Sequence, residues 1–300
     1  MNNYRLHTAL LLAPWVLTFC VFWLYPLASA LYLSFTDYQT LTNQATWIGF
    51  GNYARMLEDE TFWTALANTS LFTFGTTPFT VSFATVLAVI LNGNLNRSLN
   101  STVRFKEFFQ AAYFLPSVTS LVVISLIFVN LYASDGYVNA LLKLLHVNYP
   151  KRGWLQEPDY ALWAVMAMDV WISTGYYMVL ILSALQTIPN DLYEAAELAG
   201  ASAWQRFWRI TLPMLRPSLV FVVVINTIKS FQVFTEIYVM TKGGPLDATT
   251  TMTYLVYINA FEKADAMGYA CAVAYVTFAI ILSFSMVQMY FLRAGEAPQE

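Results

Sequence analysis

Charge is what this chain has least of. Only 11% of its 300 residues are Asp, Glu, Lys or Arg, while 58% are hydrophobic. Ordinary soluble domains carry roughly 25% charged residues. So few charges cannot cover the soluble cores that a chain of this length would form. Lipid removes that need, because a spanning helix is apolar on every side. Cysteine and histidine are scarce as well. Cys20 and Cys271 lie far apart inside apolar runs, as small buried hydrophobes do, rather than at disulfide or metal spacing. His7 and His146 stand alone, so no metal-ligand cluster forms. No Gly-Lys pair occurs, which excludes a GxxxxGK[ST] phosphate cradle and hence ATP hydrolysis by this chain. The Lys and Arg residues are scattered and the net charge is −3, so there is no basic stripe to hold nucleic acid.

Long apolar runs fill the space those absences leave. A spanning helix needs about 20 residues with few or no charges, and six stretches qualify: 9–34, 69–93, 109–132, 160–185, 217–240 and 268–292. The fourth carries Asp169, the fifth Lys229 and, near its end, Glu236; the others carry no formal charge. The first run follows Arg5 and contains Ala28-Ser29-Ala30, a signal-like arrangement. It is far longer than the ~7–15 residues of a signal h-region, so it reads as an uncleaved helix. The expectation is an all-α integral membrane protein with a single transmembrane domain over 1–300.

Orientation follows from Lys and Arg near the span ends. With the amino terminus inside, Arg5, Arg97, Arg104, Lys106, Arg206, Arg209, Arg216 and Arg293 are cytoplasmic. The outer segments 35–68, 133–159 and 241–267 hold most of the acids, from Asp37 and Asp59 to Asp247 and Asp265. Both termini are therefore expected in the cytoplasm. Trp47, Trp63, Trp154 and Trp163 fall at the expected interfaces, as an aromatic belt requires.

One cytoplasmic loop, 186–216, is too ordered in pattern to be a linker. Pro189 stops the preceding span, Asn190 or Asp191 can cap a helix, and Leu192, Ala195, Ala196 and Ala199 give it a small-residue face. Gly200 ends or turns it. A second helix from Ala203 to Ile210 puts Trp204, Phe207 and Trp208 on one side, and Pro213 and Pro217 are expected to break the chain before the fifth span. Such a pair of short helices suits docking against a protein; an amphipathic element lying on lipid is the alternative.

The pattern Glu194-Ala195-Ala196, three residues, Gly200, nine residues, Ile210, one residue, Leu212-Pro213 resembles the EAA loop of ABC importer permeases. Phe50-Gly51-Asn52-Tyr53, Thr241-Lys242-Gly243-Gly244-Pro245 and Gly268-Tyr269-Ala270-Cys271-Ala272 support the resemblance, which is to the carbohydrate and glycerol-3-phosphate permeases of the maltose type. It implies the type I importer fold, in a bacterial or archaeal inner membrane. Glu194, Ala195, Ala196, Glu197, Gly200 and Ala201 are then the contact with a cytoplasmic ATPase dimer, which alone holds ATP and Mg. The implied partners also include a second, distinct permease and an extracytoplasmic sugar-binding protein.

Polar groups inside spans mark pathways. Asp169, Ser173 and Tyr176 share one helical face at i, i+4 and i+7, with Trp171 and Tyr177 off it; Asn226 and Ser230 lie at i, i+4, near Lys229, Gln232 and Glu236. Carboxylates and amides beside aromatic faces suit a sugar. By resemblance, Asp169, Ile172, Ser173, Tyr176, Asn226, Ser230 and Ser117 line the sugar cavity. The alternative for Asp169 and Lys229 is a structural ion pair, and for Asn226 and Ser230 interhelical hydrogen bonds. With one internal cation, an uncharged di- or oligosaccharide or glycoside is preferred to glycerol-3-phosphate or a related ester. An intramembrane enzyme using Asp169, or a channel or secondary transporter, explains the buried carboxylate but not the EAA-like loop. Replacing Gly200 with a bulky residue is expected to uncouple ATP hydrolysis from transport while the chain still inserts. Normal substrate-stimulated hydrolysis in that variant would refute the assignment.

Overall fold

The computed structural model describes residues 2–40, 44–92, 103–263 and 266–293. Arg97 and Asp265, both used for the orientation, lie outside the described residues, as does residue 93 at the end of the second expected span. In chain order the helices are α1 (Asn2–Phe19), α2 (Tyr25–Ser34), α3 (Gly51–Glu58), α4 (Glu60–Asn92), α5 (Val103–Val118), α6 (Leu121–Leu131), α7 (Tyr137–Leu144), α8 (Pro158–Leu185), α9 (Asn190–Leu198), α10 (Ala203–Arg206), α11 (Leu212–Phe231), α12 (Thr235–Met240), α13 (Met252–Tyr257) and α14 (Met267–Arg293). A two-stranded antiparallel hairpin, β1 (Thr36–Gln39) and β2 (Gln44–Trp47), is the departure from an all-helical chain.

Among the described residues five helices are long and apolar enough to cross a membrane: Leu10–Ser34, Glu60–Asn92, Pro158–Leu185, Ala203–Phe231 and Met267–Tyr290. A sixth crossing exists if Glu107–Val118 and Leu121–Leu131, bent by 97° across a short break, count as one. The expected straight span 109–132 is thus corrected to a sharply bent pair. Pro116 withholds an N–H from α5, and the hydroxyls of Ser117 and Thr119 turn back onto the Phe114 and Leu115 carbonyls. The fifth span also shifts. Pro213 and Pro217 do not break the chain; a π-helical turn at Phe207–Thr211 joins α10 to α11, with the Leu212 N–H on the Phe207 carbonyl. Proline at the first turn of α11 is tolerated there, because the wider turn has already set aside the regular bonds it would disrupt. The helix stops at Phe231, earlier than the expected 240, and Glu236 sits on the separate α12.

By internal contacts the chain forms two units. The first comprises 1–63 and 255–280. Two sequence motifs meet in it. Asn52 is buried and donates to the Ser34 and Thr36 carbonyls, 2.9 Å each, while Tyr53 meets the Ser34 hydroxyl at 2.9 Å. Any side chain at Gly268 would strike the Thr36 carbonyl, which explains glycine there. The Tyr269 hydroxyl donates to Asp59 at 2.5 Å, and Arg55 lies over the Tyr269 ring. Partial burial pushes the Asp59 carboxyl up, but the bonds from Tyr269 and Thr61 outweigh it and hold it below its ordinary value.

The second unit, 64–254 with 281–300, is organised around α8. Tyr177, Met178, Ile181 and Leu182 of α8 pack with Ala84 and Ala88 of α4, Leu215 and Val222 of α11, and Tyr193 of α9. On its other side Gly175 lies so close to α5 that a Cβ there would overlap the Tyr113 carbonyl. That approach brings Ser117, at the end of α5, over the polar face of α8. Gly175→Val is expected to force α5 away and lower stability by about 1–3 kcal/mol, read as a lower thermal midpoint in detergent; an unchanged midpoint would show that α5 is not held by this contact.

Candidate functional site

The residues singled out along α8 and α11 separate into two places. A cavity of about 330 Å³ is lined by Ser117, Thr119 and Leu121 from the α5–α6 bend, Ile172, Ser173, Tyr176 and Tyr177 from α8, and Ile225 and Lys229 from α11. The bend in the third span contributes to it by setting Ser117 and Thr119 opposite α8. Ile172, Ser173, Tyr176 and Ser117 are among the expected residues that line it. Tyr177 lines it too, although its spacing puts it off that face; its ring stands edge-on to Tyr176 with centroids 5.2 Å apart. Trp171 turns away to pack on Phe128.

Asp169 reaches the cavity only through its partners. Its Oδ1 accepts from Lys229 Nζ at 2.9 Å and from the Ser173 hydroxyl at 3.2 Å, and Lys229 also donates to Ser173 Oγ at 2.6 Å. The Asp169 side chain is 2% exposed and that of Lys229 43%. The carboxylate is therefore the buried anchor and the ammonium the group presented to the cavity. Glu236, also buried, lies near enough to interact electrostatically with both. The ammonium is paired with the Asp169 carboxylate, which leaves no surplus positive charge on the wall.

Asn226 and Ser230 do not line this cavity. Asn226 donates to Thr77 Oγ1 at 2.9 Å, and Ser230 meets Thr76 Oγ1 at 3.3 Å, both in a buried seam between α11 and α4. Thr227 extends the seam by accepting from Gln288 of α14. A larger cavity of about 530 Å³ holds none of the expected residues; Phe79, Phe83, Trp163, Met166 and Trp171 make its walls apolar, with few hydrogen-bond partners for a sugar.

The second candidate site is the loop after α8. Here Pro189, not Asn190 or Asp191, occupies the cap position of α9, without a side-chain cap bond. Tyr193 is buried, and its hydroxyl meets Thr211 Oγ1 of the π turn at 2.9 Å. Leu192, Glu194, Ala195, Glu197 and Leu198 face outward, Leu198 being 91% exposed. Gly200 has φ +80°, the Ala201 N–H reaches the Ala196 carbonyl and the Gly200 N–H the Glu197 carbonyl, each at 2.9 Å. This is a Schellman ending, and it accounts for glycine at this position. Ser202 and Gln205 form a capping box for α10, and Arg206 pairs with Glu197 at 3.2 Å, clamping the two helices together. Trp204, Phe207 and Trp208 form one aromatic cluster beside them.

Bent and buried in this way, the helices have the fold of a type I ABC importer permease. The crystal structure of a bacterial ABC transporter that imports the acidic polysaccharide alginate superposes with a TM-score of 0.83 over 99% of this chain and 97% of that one; at 22% identity the likeness speaks for the fold alone. The chain belongs to the family of binding-protein-dependent transport system inner membrane components, whose model matches residues 84–291. It is 34% identical to the lactose transport system permease LacF of Rhizobium radiobacter, over 97% of this chain and 95% of that protein. It is 32% identical to the trehalose/maltose transport system permease MalF of Thermococcus litoralis, over 95% and 92%. It is accordingly a multi-pass membrane transport component.

The ion pair makes an ordered prediction. Lys229→Met leaves the buried Asp169 carboxylate without its ion-pair partner and should cost about 3–5 kcal/mol. Asp169→Asn should cost less, since Glu236 still answers Lys229, and the double variant should recover most of the loss. Thermal unfolding of the three in detergent checks this; Asp169→Asn falling furthest would overturn the assignment.

Proposed function

We propose that the chain is the permease subunit of an ATP-driven sugar importer, with both termini cytoplasmic and residues 1–300 acting as one transmembrane domain. It forms half of the translocation pathway beside a second, distinct permease. It has no cofactor of its own; ATP and Mg belong to the ATPase dimer. The observation that carries the reading is α9. Its inner residue Tyr193 is locked into the core, while Leu192 and Leu198 stand exposed on the other side. A helix fixed so firmly to the spans, with leucines, alanine and two carboxylates turned outward, suits a seat in another protein better than a resting place on lipid. Glu194, Ala195, Ala196, Glu197, Gly200 and Ala201 are then the coupling contact.

The substrate reading rests on the names of the relatives and on the polar cavity. Hydroxyls of Ser117, Thr119, Ser173 and the two tyrosines, with the Lys229 ammonium, offer donors and acceptors beside aromatic faces. The neutralised ammonium favours an uncharged di- or oligosaccharide or glycoside. A phosphate ester is the second reading, favoured only by Lys229 itself. Asp169, Asn226 and Ser230 contribute from behind, by positioning Lys229 and by holding α11 against α4.

The test is reconstitution in liposomes with the ATPase, the second permease and the binding protein. Sugar uptake should require ATP. Tyr176→Ala should cut uptake at limiting sugar about tenfold, the size of roughly 1.4 kcal/mol of lost contact, while leaving basal hydrolysis unchanged. Full uptake without ATPase subunits would sink the importer reading; unaltered uptake by Tyr176→Ala would remove the cavity from the pathway.

A further inference from the structure

Asp169 is bonded through one of its two oxygens. Oδ1 accepts from Lys229 at 2.9 Å and from Ser173 at 3.2 Å, whereas Oδ2 is buried with no hydrogen-bond partner among the described residues. A bare carboxylate oxygen inside a membrane protein is costly. An asparagine here would keep an acceptor for both donors, so hydrogen bonding alone does not call for a carboxylate. What an amide cannot supply is the negative charge. That charge has one close target. Among the residues that wall the cavity of about 330 Å³, Lys229 alone is charged, and its side chain is 43% exposed. Glu236 acts on the same ammonium through space, without a hydrogen bond to it. Asp169 is therefore the group that decides whether the cavity presents a paired or an unpaired cation.

We propose that Asp169 is a specificity-determining residue: from behind the wall it cancels the Lys229 charge, and so denies acidic sugars an advantage over neutral ones. The inference rests on the reading of this cavity as the passage of the sugar. Asp169 itself does not line the cavity. It acts through Lys229, and Ser173 holds the two in place by donating to the carboxylate and accepting from the ammonium at 2.6 Å. An exposed ammonium released from its carboxylate is a strong partner for the anionic group of an acidic sugar, because a charge-assisted hydrogen bond is about twice as strong as a neutral one. The cavity thus stands one charge away from the opposite preference. A neutral, isosteric substitution at 169 turns a wall suited to uncharged sugars into one that selects acidic ones.

The probes are p-nitrophenyl β-glucoside and p-nitrophenyl β-glucuronide, which differ only in the carboxylate at C6. Equilibrium dialysis measures the binding of each to the assembled transporter in nanodiscs, without the binding protein and the selection it would impose. Asp169→Asn should raise the ratio of glucuronide to glucoside affinity about tenfold over wild type, the scale of one charge-assisted hydrogen bond. Asp169→Asn combined with Lys229→Met removes both charges and should keep the wild-type ratio. Asp169→Ser, which still accepts from Lys229, makes the same test if the asparagine variant does not assemble. A purely structural role weakens both probes alike, so an unchanged ratio in the single variant overturns the proposal, as does an equal rise in the double variant. Tyr176→Ala identifies which reading has failed. If it leaves glucoside binding intact, or the wild type binds neither probe, the sugar does not pass this cavity and both readings fall. If it weakens glucoside binding while Asp169→Asn leaves the ratio unmoved, the role of Asp169 alone is overturned.

Discussion

Lipid offers no hydrogen bonds, and that one constraint orders most of this structure. A polar group carried into the spans gains by finding a partner within the protein, although the hydroxyls of Thr73, Thr80 and Ser125 are buried without one among the described residues. Thr69, Thr76 and Thr85 of α4 return their hydroxyls to carbonyls four residues back. Asn226 takes its amide and Ser230 its hydroxyl across to Thr77 and Thr76. The ion pair obeys the same rule at higher stakes, since a membrane-embedded carboxylate without a counter-charge is among the most expensive groups a helix can carry. The positions of α4, α8 and α11 relative to each other are therefore set by polar contacts as much as by packing. Such contacts average only about 0.6 kcal/mol each in membranes, so it is their register that matters.

The cavity and the loop after α8 depend on that register in different ways. Ser173 and Lys229 reach the cavity from two helices, so any slip of α11 along α8 alters the wall. Tyr193 joins the same core lower down, and its bond to Thr211 ties α9 to the turn from which α11 begins. Cavity-lining groups and the groups that anchor α9 thus share two helices.

Much of this was legible in the sequence. Hydropathy located the spans, and the loop pattern located α9, α10 and Gly200. Averaging over a window, however, hides a right-angle bend, because apolar residues continue on both sides of Thr119. The signal was present in Pro116, Ser117, Thr119 and Ser120, four breakers or hydroxyls in five residues. The prolines at 213 and 217 misled in the opposite direction, since a π turn is invisible to any rule about regular helices. Tyr177 escaped because spacing fixes the direction of a Cβ and not the swing of a ring. The motifs at Asn52 and Gly268 carried no evident chemistry; the structure explains them as a buried amide and a space too small for a side chain.

The π turn at Phe207–Thr211 has a mechanical consequence. Because it joins α10 to α11 without interruption, Ala203–Phe231 is a single rod of 29 residues, about 43 Å long at 1.5 Å per residue. One end carries the aromatic cluster beside α9, and the other carries Lys229 on the cavity wall. A tilt of about 5° at the Ala203 end would swing the far end by about 4 Å over that length, more than a hydrogen-bond distance. A lever of that reach needs no relay of intermediate contacts to reshape the cavity wall.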